Sequence, residues 1–172
     1  MVIWLTGLAA SGKTTIGRHL FGMWRARAAN TVIVDGDDIR KILRLDKGDE
    51  AFTVKGRRAV AERICDLCAW LDRQDINVVC CTISFFDDLQ RRNRETLSRY
   101  FEVFITAPMD VLYRRDTKNL YAPALRGETR NVIGVDIPFT PPASPDLTVD
   151  NSEDRDGLEE IAADILARAM SS

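Results

Sequence analysis

Apolar bursts alternate along the chain with stretches whose apolar residues recur at helical spacing. Short runs rich in Val, Ile, Leu and aromatic residues predict strands over 2–6, 31–35, 77–82, 101–106 and 146–150. Helical periodicity between them predicts helices over 13–28, 38–44, 55–73, 88–99, 109–116 and 153–170. Such alternation implies an α/β fold with a five-stranded parallel sheet flanked by helices on both faces. The last helix has the clearest pattern. Ser152 is placed to cap it, acidic residues fill its first turn, and Leu158, Ile161, Ala162, Ile165 and Leu166 form one apolar stripe, most simply core packing. Two segments resist regular structure. Leu45 to Val54 carries mixed charges and one aromatic, Phe52, while Thr117 to about Pro145 holds five of the six prolines together with Gly127 and Gly134. A connection that long in a compact domain is usually a lid or binding loop. With no repeat or linker in view, 1–172 reads as a single domain whose lid spans about 117–145.

Composition narrows the function classes. A chain of 172 residues with a net charge of -2 has no global basic field to attract nucleic acid. No apolar run is long enough to span a bilayer, and the first residues enter a strand without a charged leader, so the cytoplasm is the expected compartment. Cys65 and Cys68 fall at helical spacing, while Cys80 and Cys81 lie in an apolar run. They lack a second ligand pair at zinc spacing, so buried free thiols are the plain reading and a metal or redox site the alternative.

Chemistry enters at Gly7-Leu8-Ala9-Ala10-Ser11-Gly12-Lys13-Thr14, which follows the first apolar run and opens the first helical pattern. G-x-x-x-x-G-K-[ST] between a strand and a helix is a phosphate-binding loop. Its glycines let successive N–H groups face an anion, and the helix N-terminus adds partial positive charge. Lys13 can reach the β- and γ-phosphates of a nucleoside triphosphate, and the Thr14 hydroxyl can ligate Mg²⁺. Gly7, Ala10, Ser11, Gly12 and Thr15 complete the loop's candidate contacts.

In a parallel sheet, ligands bind outside the carboxyl ends of the strands. The second strand ends in Asp35-Gly36-Asp37-Asp38-Ile39-Arg40. Asp35 and Asp37 are candidates because a kinase needs an acid to orient a nucleophile or a metal; the structural alternative is a solvated loop with Asp37 or Asp38 capping a helix. The third strand leads to Thr82-Ile83-Ser84-Phe85-Phe86, and the helix and lid entrance carries Arg114-Arg115-Asp116-Thr117-Lys118-Asn119-Leu120-Tyr121. Cations there are what phosphoryl transfer requires, although a solvated charge run has the same composition. Thr117-Lys118-Asn119-Leu120 is superficially like a guanine-reading motif, but Leu120 stands where that motif has its acid, which sets a GTPase aside.

Together these residues resemble the adenylyl-sulfate (APS) kinase family, whose members use MgATP to phosphorylate the ribose 3′-hydroxyl of adenylyl sulfate and so make PAPS. Trp4-Leu5-Thr6-Gly7-Leu8 and the loop after it are similar to W-x-T-G-L-S-G-x-G-K-[ST]-T, and Asp35-Gly36-Asp37-Asp38-Ile39-Arg40 to D-G-D-N-[IV]-R. Ile83-Ser84-Phe85-Phe86 occupies the I-S-P-[YF] position, Arg115-Asp116-Thr117-Lys118-Asn119-Leu120-Tyr121 that of R-D-P-K-G-L-Y, and Gly134-Val135-Asp136-Ile137-Pro138-Phe139 that of G-[IV]-D-x-P-[YF]. The resemblance implies a P-loop kinase fold and a usually dimeric enzyme. It implies that Lys13 and Thr14 handle ATP and Mg²⁺, and that Asp37, or else Asp35, takes or orients the proton of the attacking hydroxyl. Arg40 and Arg57 would hold the phosphosulfate end, Ile83 and Ser84 would position the substrate, and Arg115 and Lys118 would cover ATP, with Arg115 stacked on adenine.

The departures gather at the acceptor side. The family holds the substrate's adenine between two phenylalanines; one matches Phe52, but the other falls on Val132. The family's asparagine after Phe52 is Val60 here, the first member of its arginine pair is Glu62, and its Ser-Pro is Ser84-Phe85. Losing one aromatic face removes about 1–3 kcal/mol of base stacking. The expectation is therefore an APS kinase. A kinase of the same fold acting on another nucleotide, such as cytidine diphosphoramidate, is the alternative, and a non-catalytic ATP-binding module is the reading from another class.

Overall fold

The computed structural model describes residues 1–48, 50–153 and 157–172. Five strands, β1 (Val2–Thr6), β2 (Thr31–Asp35), β3 (Asn77–Cys81), β4 (Tyr100–Thr106) and β5 (Leu147–Asp150), form a wholly parallel sheet in the order β2-β3-β1-β4-β5. The helices are α1 (Lys13–Arg27), α2 (Gly36–Ile42), α3 (Val54–Asp72), α4 (Asp87–Thr96), α5 (Met109–Arg114), α6 (Tyr121–Leu125) and α7 (Leu158–Ser171). After β1 the chain crosses to β2 at one edge, returns to fill β3 between them, and then passes to β4 and β5 on the other side. The winding reverses at β1, so the crevice beyond its carboxyl end is the ligand position such a sheet offers.

The unbroken apolar run of β1 follows from burial on both faces. Ile3 and Leu5 join Val79, Val103 and Ile105 beneath α1 and α7. Val2 and Trp4 point the other way, with Val78 and Cys80, against α3 and α4. The α7 stripe enters the first of these cores through Ala162, Ile165 and Leu166, as its spacing predicts. All four cysteines are free and buried. Burial pushes the Cys81 thiol up to about 12 and Cys65 up to about 11, so neither is a thiolate near neutral pH. Among the described residues no helix is long and apolar enough to cross a membrane.

Several boundaries depart from the sequence expectation. The helix after β2 begins at Gly36 and is capped by Asp35, whose Oδ1 accepts from Asp37 N at 2.9 Å; neither Asp37 nor Asp38 is the cap. The final helix begins at Leu158 with Gly157 at its N-cap, and its acidic first turn is Glu159 and Glu160. Ser152 is no cap for it: its N–H donates to Asp150 Oδ1 at 2.9 Å. The remaining expected start of that helix, 154–156, lies outside the described residues. The segment expected to be an irregular lid contains α6, whose Tyr121 and Ala124 form a small core with Val132 and with Leu112 of α5, against Leu8, Ala9 and Ala10 of the loop after β1. Asp116 explains α6: its Oδ2 accepts from Leu120 N at 2.6 Å and Tyr121 N at 2.8 Å, satisfying donors at the helix start.

Candidate active site

The phosphate loop links β1 to α1. Gly7 has φ +149°, and a Cβ there would lie 2.2 Å from Ile105 O, so only glycine lets the loop ride this close over β4. Ala10 adopts φ 62°, a left-handed conformation where the family pattern has glycine. Lys13 is buried and folds back over the loop, its Nζ donating to Leu8 O at 2.6 Å and Ser11 Oγ at 3.4 Å. Burial pulls the Lys13 ammonium down to about 8, against the opposing pull of Asp37 and Asp35.

Two carboxylates face the loop from the end of β2. Asp35 Oδ2 accepts from Thr14 Oγ1 at 2.8 Å, placing two oxygen ligands side by side at the helix start. Hard divalent cations that travel with phosphates take one or two such protein oxygens and fill the rest of their shell with phosphate and water, so this pair fits Mg²⁺. Among the described residues no group of three or more His, Cys, Asp or Glu could hold a metal by itself. Asp37 lies a half-turn further on, and its Oδ2 is paired with Lys118 Nζ from the lid stem. Burial pushes the Asp37 carboxyl up, but the Lys118 bond and charge, with Lys13 and Arg40, outweigh it and hold the group below the usual carboxylate range.

At the other end from the loop, two guanidinium groups lie near the Phe52 ring, which is exposed: Arg40 Cζ is 5.0 Å and Arg57 Cζ 5.5 Å from the ring centroid. Arg40 Nη1 donates to Ala51 O at 2.8 Å, and Arg57 donates through Nε to Phe52 O at 2.8 Å and through Nη2 to Asn131 O at 2.7 Å. Arg57 therefore ties α3 to the lid just before Val132. Burial, then the charge of Arg40, pulls the Arg57 guanidinium down to about 10. This pair leaves cationic surface around an aromatic face, a combination suited to a base attached to an anionic tail.

One cavity of about 920 Å³ brings the two halves together. Ala10, Gly12, Lys13, Thr14 and Thr15 line its donor end; Asp35, Asp37 and Ile83 its floor; Arg40, Phe52, Arg57 and Val132 its far end; and Arg115 and Lys118 its lid side. Gly7, Ser11 and Ser84 do not line it. Ser84 is 4% exposed because the chain leaving β3 is clasped by Thr6: Ser84 N donates to Thr6 Oγ1 at 3.2 Å, and that hydroxyl donates to Ser84 O at 3.0 Å. Arg115 Nη1 donates to Asn151 O at 2.6 Å and Nη2 to Glu153 O at 2.7 Å. Asn151, Glu153 and Leu158 line the cavity too, and sequence reasoning did not select them. The signal was available: Asp150-Asn151-Ser152 is one more carboxyl end of a parallel strand.

The sequence profile of the adenylylsulphate kinase family matches residues 1–150. A cytidine diphosphoramidate kinase from Campylobacter jejuni is 42% identical over 159 residues, spanning 92% of this chain and 90% of that protein. An adenylyl-sulfate kinase from Halothermothrix orenii is 32% identical, over 96% of this chain and 87% of its own length. Among solved structures, the Mycobacterium tuberculosis APS kinase in complex with AMPPNP and APS superposes with a TM-score of 0.85 at 28% identity, covering 99% of this chain and 97% of that one.

Proposed function

The chain belongs to the adenylylsulphate kinase family, and we propose that it moves the γ-phosphoryl group of ATP onto the ribose 3′-hydroxyl of adenylyl sulfate. The observation that carries this reading is the shared cavity, with a phosphate loop at one end, Asp37 on its floor and the Arg40, Phe52 and Arg57 cluster at the other. Lys13 and the loop N–H groups hold the β- and γ-phosphates. Thr14 and Asp35 would hold the Mg²⁺ ion, which neutralises charge on those oxygens. Arg115 covers the donor base, while Phe52 stacks on the acceptor base and Arg40 and Arg57 meet the phosphosulfate.

The acceptor oxygen attacks in line: the O3′–P bond forms, the bond from phosphorus to the β,γ-bridging oxygen breaks, and ADP leaves. Asp37, anionic at neutral pH, accepts a hydrogen bond from the 3′-hydroxyl and takes its proton as the bond forms. In such a loose transition state, orientation matters more than base strength. Lys118 must then exchange its Asp37 contact for the transferring phosphoryl oxygens. An ADP-release assay tests the reading. Release should require both ATP and adenylyl sulfate, and a protein that binds ATP yet transfers to no acceptor would be the non-catalytic module.

A second reading, phosphorylation of cytidine diphosphoramidate, draws on Val132 and Val60, apolar cavity residues where the family pattern has phenylalanine and asparagine. A pyrimidine needs less stacking area than adenine, and the 42%-identical relative carries that activity in its name. Val132→Phe separates the readings. If adenylyl sulfate is the natural acceptor, its kcat/KM should stay within about threefold of the parent value, because Phe52 and the arginines already bind it. A rise from near zero to efficient turnover would favour the cytidine acceptor.

A further inference from the structure

Asn151, the first residue past β5, is 3% exposed and holds three parts of the donor site at once. Its N–H donates to Thr106 O at 2.8 Å, which lays the residue across the end of β4. From there its side-chain Nδ2 donates to Ser11 O at 2.9 Å, joining positions 140 residues apart. Gly12 makes room for that contact, since a Cβ on Gly12 would lie 2.6 Å from Nδ2. The backbone carbonyl of Asn151 in turn accepts from Arg115 Nη1 at 2.6 Å.

The Ser11 contact bears on anion binding. A trans peptide carries its C=O and the following N–H on opposite sides. A carboxamide donor on Ser11 O therefore fixes the plane of the Ser11–Gly12 peptide and sets where the Gly12 N–H points. A phosphate loop works by turning N–H groups toward the anion and keeping carbonyls away from it. Ser11 is buried at 1% exposure, so losing the Asn151 donor would leave its carbonyl short of a partner where water does not replace one.

We infer that Asn151 is a positioning residue for the phosphate donor: its side chain sets the phosphate loop while its backbone anchors Arg115, so that the phosphate cradle and the base cover are held in register. The inference rests on the donor reading above. Asn151→Asp is the sharper probe, because it keeps the shape and replaces a donor by an acceptor facing Ser11 O; Asn151→Ala removes the group.

Calorimetric titration of each full-length protein with AMPPNP and Mg²⁺ gives the dissociation constants. The expected increase is about tenfold for Asn151→Ala and about a hundredfold for Asn151→Asp at pH 8. The Asn151→Asp defect, measured against the parent at each pH, should shrink as pH falls toward 5, because a protonated carboxyl regains a donor for Ser11 O. A purely structural role would weaken both variants alike with no pH dependence, and that result, or unchanged affinity in either variant, would overturn the inference. A parent protein that fails to bind AMPPNP would instead remove the donor reading and the inference with it.

Discussion

Lys13→Ala is expected to lower kcat by about 10²–10³ while leaving the protein folded. The lysine is buried at the start of α1, where it can follow charge that builds on the transferring phosphoryl oxygens, and no other cation shares its position within the loop. Its removal should not destabilise the fold. Burial lowers Lys13 from 10.5 to about 8, so the folded state disfavours the charge. That penalty is fully present below the folded value and is relieved as pH rises from there toward 10.5, where the folded protein has lost a proton that the unfolded chain keeps. At neutral pH the alanine variant should therefore melt no lower than the parent. The same shift predicts the pH dependence of ATP binding. Below about pH 8 Lys13 is already charged and contributes no slope; above it, binding must take up a proton and affinity falls by up to about tenfold per pH unit. Calorimetry at pH 7, 8 and 9 measures the slope, and Lys13→Arg, which stays charged, should flatten it. Near-parental turnover in Lys13→Ala would contradict the assignment of the phosphate loop.

Asp37→Asn should lower kcat by about 10²–10⁴ with ATP affinity within a few-fold of the parent. The asparagine keeps the shape but cannot take the 3′-hydroxyl proton, and it releases Lys118 from its ion pair. Asp35 is the contrasting case. It caps α2 and accepts from Thr14, so Asp35→Asn should damage Mg²⁺-dependent ATP binding as well as turnover. Titrating ATP against each variant with and without Mg²⁺ separates the two roles. Equal losses of ATP affinity and kcat in Asp37→Asn would make Asp37 a metal or structural residue.

The donor half was legible because its determinants are local. An apolar strand, a glycine-bounded loop and an amphipathic helix lie within the first 27 residues, and each shows its own pattern. The acceptor half was legible through residue types at strand ends and through family resemblance, which located Asp37, Arg40, Phe52 and Arg57 in the cavity. Other features were hidden because individual side-chain contacts, most of them distant in sequence, determine them. α6 is five residues long, too short for periodicity, and is held by the Asp116 carboxylate and by the Tyr121 hydroxyl donating to Ala9 O at 3.0 Å. Ser84 is turned from the cavity by Thr6, a partner 78 residues earlier. Asn151 meets Ser11 from the far end of the chain. The Arg57 bond to Asn131 O likewise brings the lid over the acceptor end in a way that composition cannot express.

The most direct test of the central claim is to follow the fate of the transferred group. Incubated with MgATP and adenylyl sulfate, the parent protein should form ADP and 3′-phosphoadenylyl sulfate one for one, with ³¹P NMR placing the new phosphoryl group on the ribose 3′-oxygen. ADP that accumulates without a phosphorylated nucleotide, or no turnover with adenylyl sulfate while cytidine diphosphoramidate is phosphorylated, would contradict that claim.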